Sequence, residues 1–175
     1  MDIQLYTQYY AQPNRVAAVL TSRELAEKRA SALGLDDYSW NIASPHEGTI
    51  RTITRLKIPS KALPAQIQKF TSTHLEAIVT STTSKPNEYG STTITHDVKI
   101  ASTPVSVKVT ITLTNAANSS DTANTDNTTQ AEIKVHFSIN IPFIGNRLEK
   151  EAVTHIEQAL REDTHLVNSL LEREQ

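Results

Sequence analysis

Apolar residues recur at every second position through most of this chain, and at every third or fourth position in two stretches. The first spacing belongs to strands and the second to helices, because side chains alternate across a strand but wind round a helix. IQLYTQYY places Ile3, Leu5, Thr7 and Tyr9 on one face of a first strand. Pro13 and Asn14 then open a helical stretch with two apolar stripes, Val16, Val19 and Leu20 followed by Leu25, Ala26, Ala30 and Leu33. Ser22 stands where a fresh N-cap is needed, so two short helices are predicted, the second stopped by Gly34.

DYSWNIAS carries Tyr38, Trp40 and Ile42 on one face, and TIRTITRLKIP follows after the turn residues Pro45 and Gly48, as in a hairpin. SKALPAQIQKF, with Ile67 and Phe70 one helical turn apart, reads as a loop holding at most a short helix. Four further strands are predicted from HLEAIVTSTTS, STTITHDVKIA, PVSVKVTITLT and AEIKVHFSINIP. Val105, Val107, Val109, Ile111 and Leu113 alternate with polar residues, and Ile133, Val135, Phe137, Ile139 and Ile141 repeat the pattern. Such alternation marks antiparallel strands with one buried and one solvated face. Between them, residues 115–130 are almost all small and polar; they cannot bury enough to offset ordering, and a mobile hairpin loop is expected.

INIPFIGNRLEKE joins the two periods with almost no spacer. Pro142 is expected to end the strand ladder and Gly145 to permit a sharp reversal, with Phe143 and Ile144 buried at the corner and Glu149 in the first helical turn. Leu148, Ala152, Ile156, Ala159, Leu160, Val167 and Leu170 then form the stripe of a long amphipathic helix, bent near EDTH. The predicted order is a strand, two short helices, six antiparallel strands and a long terminal helix. A sheet with one apolar face must be covered, and the terminal helix is the element large enough to do it. The fold class is therefore α+β: a helix-grip fold in which about seven strands curve round a long C-terminal helix.

The chain has 175 residues, which suits a single domain over residues 1–175. At 38% hydrophobic and 21% charged it has the composition of a globular protein. A net charge of −2 gives no global field for nucleic acid. Without cysteine there is no disulfide framework and no thiolate chemistry. MDIQLYTQYY carries an early acid and alternates at once, unlike a signal peptide, and no apolar run is long enough to span a bilayer, so a cytoplasmic location is expected. The sequons at Asn118 and Asn127 carry little weight without a secretion signal.

This order of elements resembles the START-like (SRPBCC) superfamily, which includes the birch-pollen-allergen and polyketide cyclase/dehydrase folds. The tail IPFIGNRLEKEAVTHIEQALREDTHLVNSLLE and the start YTQYYAQPNRVAAVLTSRELAEKRASALG resemble more narrowly an uncharacterised actinobacterial family of that superfamily. The resemblance covers nearly the whole chain. It implies a fold and a cavity, and it transfers no catalytic residues and no cofactor.

A cavity between sheet and terminal helix is lined, on this reading, by Tyr38, Trp40, His96, Val98, Ile156 and Leu160. His96 shares the inward face with Ile94, Val98 and Ile100. Two readings stand for it: a polar group that orients or transforms a ligand, or a core histidine satisfied by its neighbours. Trp40 is likewise cavity wall or plain core. His155 and Glu151 lack a third partner in register for a metal, and Arg51, Arg55, Lys57 and Lys61 read as a solvated outer face. No glycine loop, nucleophile elbow or triad spacing is present, so no catalytic residue is assigned. The expected partner is a small hydrophobic molecule, a lipid or polycyclic metabolite. The alternatives are a cyclase/dehydrase-type enzyme using His96, and an interaction module using the outer sheet face or an edge strand.

Overall fold

The computed structural model describes residues 1–43, 49–59, 68, 74–116, 127–140 and 145–173. In chain order the elements are β1 (Asp2–Tyr9), α1 (Pro13–Leu20), α2 (Arg23–Ala32), β2 (Tyr38–Ala43), β3 (Ile50–Pro59), β4 (His74–Thr83), β5 (Thr92–Ile100), β6 (Val105–Asn115), β7 (Thr129–Ile139) and α3 (Gly145–Arg173). The seven strands form one curved antiparallel sheet in the order β1-β7-β6-β5-β4-β3-β2. β1 and β2 are consecutive strands at opposite edges, so α1 and α2 must carry the chain across the concave face between them.

Local chemistry explains where the short helices start and stop. Pro13 opens α1, where its missing N–H costs nothing. The Ser22 hydroxyl accepts from the Leu25 backbone N–H at 3.1 Å and so starts α2 afresh. Gly34 adopts φ +66°, and the Leu35 N–H returns to the Ala30 carbonyl at 2.9 Å.

Packing is uneven along the grip. Val16 and Leu25 on the short helices and Val167 and Leu171 on α3 are fully buried against Ile94, Leu113 and Val135 of the sheet. Each such side chain contributes about 1.5–3 kcal/mol by leaving water. Toward the other end, Val98, Val107 and Val109 of the same inward face are only partly buried, as are Ala152, Val153, Ile156 and Leu160 of α3. The concave face is therefore sealed at one end and open to solvent at the other.

Two expectations about α3 need correction, those for Glu149 and Ala159, and the reason for glycine at position 145 becomes specific. Gly145 does not adopt the left-handed conformation, which among glycines belongs to Gly34 and Gly90; it is buried, and a Cβ there would run into the Ile139 carbonyl oxygen. Glycine is needed for close approach rather than for a special turn. Glu149 lies beyond the first turn of α3, which holds no acid, and its carboxylate instead accepts from the Ile139 backbone N–H at 2.9 Å. Ala159 is exposed and falls outside the buried stripe. The β6–β7 ladder continues to Asn115 opposite Thr129, inside the bounds set for the 115–130 loop. Residues 117–126, Pro142, Phe143, Ile144, Lys61 and the helical turn read around Ile67 and Phe70 lie outside the described residues.

Candidate functional site

Strand register lines side chains up in rows across the concave face. Trp40 lies opposite Thr54, Thr54 opposite Val79, Val79 opposite Val98 and Val98 opposite Val107. In the adjacent row Thr52 lies opposite Ser81, Ser81 opposite His96 and His96 opposite Val109. The first row is largely apolar and partly exposed, whereas Thr52, Ser81 and His96 are polar and buried. Thr83, two residues beyond Ser81, extends the polar patch.

His96 is 6% exposed. Its Nδ1 shares a hydrogen bond with Ser81 Oγ at 2.7 Å. Its Nε2 meets no donor or acceptor among the described residues, and neither does Thr83 Oγ1. Burial pushes the imidazole down to about 4, assisted by the positive charge of Arg29 and opposed by Asp163. At neutral pH the ring is uncharged.

A second set of polar side chains, partly exposed, joins the helices. Arg29 of α2 donates from Nε and Nη2 to the two carboxylate oxygens of Asp163 on α3, at 2.6 and 2.7 Å. Burial works against the Arg29 charge, but the adjacent Asp163 outweighs it and holds the guanidinium above its ordinary range. Tyr9, 1% exposed at the end of β1, is pushed up to about 12 by burial and then by the Asp163 charge.

A cleft of about 60 Å³ opens between the α1–α2 junction and strands β2 to β4. Trp40, Leu56 and Val79 form its apolar side, and Ser81, Thr52, Thr54 and Arg29 its polar side. Of the residues proposed from sequence, Trp40 lines this cleft and His96 stands directly behind it through Ser81. Val98 continues the wall beside Val79 and is partly exposed. Tyr38 lies on the edge strand opposite Leu56, outside the cleft lining. Ile156 and Leu160 lie on α3 against the core, and Leu160 also lines a separate groove beside β1. Tyr38 and Leu160 are thus not brought together with Trp40.

Ser81, Thr83, Arg29 and Asp163 were not singled out from sequence, although signals were present. Asp163 is three residues after Leu160 and four before Val167, on the apolar stripe of α3. Arg29 is four residues after Leu25 on the stripe of α2. Charges on opposing inward stripes call for each other, because neither is tolerated alone in the interior. In β4 the inward positions change from Leu75, Ala77 and Val79 to Ser81 and Thr83, and this polar turn marks the patch.

Outside the interior, a groove of about 470 Å³ separates β1 from the C-terminal half of α3 and is lined by Tyr6, Tyr10, Arg161 and His165. Asn168 bridges it, accepting from the Tyr10 N–H and donating to the Gln8 carbonyl. Neither unpartnered buried atom belongs to the lining of this groove or of the interior cleft, but His96 is joined to the interior cleft through its hydrogen bond with Ser81. Arg55 and Lys57 pair on the outer face with Glu76 and Asp37. Among the described residues no cluster of three His, Asp or Glu side chains could hold a metal ion, and no helix is long and apolar enough to cross a membrane.

Residues 4–171 match the model of a family described as a protein of unknown function, DUF2505. No curated protein matches the chain. Among solved structures, norcoclaurine synthase from Thalictrum flavum in complex with dopamine and hydroxybenzaldehyde is similar over 100% of this chain and 88% of its own, with 11% identity and a TM-score of 0.51. A conserved protein from Geobacillus kaustophilus is similar over 99% of this chain and 96% of its own, with 12% identity and a TM-score of 0.52. The Zhui aromatase/cyclase from Streptomyces sp. R1128 is similar over 99% and 94%, with 13% identity and a TM-score of 0.50. At these identities the likeness is one of fold, the helix-grip fold.

Proposed function

The chain belongs to the DUF2505 family, and we propose that it binds a small, mainly apolar molecule, a lipid or polycyclic metabolite, on the concave face of its sheet. The observation that carries this reading is the uneven seal of the interior. Trp40, Val79, Val98 and Val107 face inward yet stay partly exposed, so an apolar occupant would remove them from water. The Thalictrum synthase of the same fold holds two small aromatic molecules, which is in keeping with it.

Binding is favoured over catalysis by the state of His96. A general acid needs a proton to give at working pH, and a general base needs a pKa near it. An imidazole held neutral by burial and tied to Ser81 through Nδ1 suits hydrogen bonding. Trp40, the sole tryptophan, makes the reading testable. Native mass spectrometry of the purified protein is expected to find a co-purifying small molecule, and displacement of a hydrophobic dye is expected to track quenching of Trp40 fluorescence. A protein that carries no ligand, binds no dye and shows unaltered Trp40 emission would refute the proposal.

A further inference from the structure

Thr52, Ser81, Thr83 and His96 form a buried polar patch on the concave face, and two of them, Thr83 and His96, hold a buried atom with no partner among the described residues. A buried polar atom left unpaired costs about 1–3 kcal/mol. Two of them are diagonal neighbours on one face: Thr83 lies opposite Ile94, two residues before His96. We infer that this patch is the recognition end of the binding site proposed above, and that it selects an apolar molecule bearing an uncharged hydroxyl or carbonyl group.

The inference rests on that reading and adds to it the class of polar group recognised. Geometry supplies the anchor. Ser81 occupies Nδ1 of His96 and turns its own side chain to the cleft wall, leaving Nε2 as the ring's remaining hydrogen-bonding atom. Charge supplies the selectivity. Arg29, whose charge reaches His96, is paired through Nε and Nη2 with Asp163, so the pair carries no net charge. His96 is neutral as well. An ionised ligand would lose its hydration and find no opposite charge free to replace it. A hydroxyl or carbonyl loses far less and gains a bond to Nε2 or to the Thr83 hydroxyl, whichever role the imidazole tautomer leaves open.

Three probes with one ring system separate the possibilities: naphthalene, 2-naphthol and 2-naphthoate, measured by equilibrium dialysis against the full chain. 2-Naphthol is expected to bind roughly tenfold more tightly than naphthalene, the ratio that one hydrogen bond of about 1.4 kcal/mol supplies. 2-Naphthoate is expected to be the weakest. In H96F the advantage of naphthol should shrink to about twofold while naphthalene binding is kept. Because H96F can also disturb packing, the imidazole nitrogen resonances of wild-type His96 give a second readout: Nε2 should shift with 2-naphthol and hold still with naphthalene. Equal binding of naphthalene and naphthol, with no Nε2 shift, overturns this inference and leaves the apolar-binding reading standing. Tightest binding of naphthoate also overturns it. Failure of all three probes to bind removes both.

Discussion

Ser81 and His96 face each other across β4 and β5, with Oγ and Nδ1 2.7 Å apart and both side chains buried on the concave face. The contact holds the imidazole in place while its environment keeps it neutral, down to a pKa of about 4 against 6.5 for a free histidine. A depressed histidine stabilises the fold fully above its unfolded pKa, and the stability is lost as pH falls toward the folded one. Urea midpoints should therefore decline between about pH 6.5 and pH 4, by about 3 kcal/mol in all. H96F removes the titrating group and should flatten that part of the profile. An unchanged slope in H96F would place the titration elsewhere.

Tyr9 gives the opposite limb. Its phenol is raised from 10.0 to about 12 by burial and by Asp163, so the unfolded chain releases that proton first. Stability is then retained below about pH 10 and lost as pH rises toward 12, by about 3 kcal/mol. Ultraviolet absorbance of tyrosinate in the folded protein should show a late step that is missing in Y9F.

The Arg29–Asp163 pair joins α2 to α3 with two charge-assisted bonds, and its side chains are 34% and 24% exposed. Partial solvent contact screens the pair, so D163N is expected to cost about 2 kcal/mol, below the range for fully buried pairs. Removing both charges together in R29M/D163L should recover most of that loss, because the larger penalty is the charge left alone. A double-mutant cycle by denaturant unfolding measures the coupling; additive losses would refute it.

Gly145 and Gly34 should respond differently to alanine. At Gly145 a Cβ meets the Ile139 carbonyl, and the start of α3 must move away from the end of β7 to admit it. G145A is expected to cost about 3 kcal/mol. At Gly34 no described residue lies within 4 Å of an added Cβ, and only the conformation at φ +66° is strained, so G34A should cost about 1 kcal/mol. Thermal melts of the two variants under one condition decide the order.

Element order, the split of α1 from α2 at Ser22, the outward direction of Arg55 and Lys57, and the inward direction of His96 were all legible along the chain. Each follows from periods of two or near four and from cap chemistry, which act over a few neighbouring residues. Tertiary structure alone decided which inward residues meet. Trp40 and Ser81 share a cleft because β3 lies between their strands, and Tyr38, on the same face as Trp40, does not line it. Arg29 and Asp163 are 134 residues apart in sequence, and only the crossing of α2 over α3 pairs them. The same holds for Gly145, whose requirement comes from the approach of the Ile139 carbonyl and not from its own backbone angles. Periodicity states which way a side chain points; long-range packing states what it finds there, and the His96 nitrogen without a partner among the described residues is a fact of the second kind.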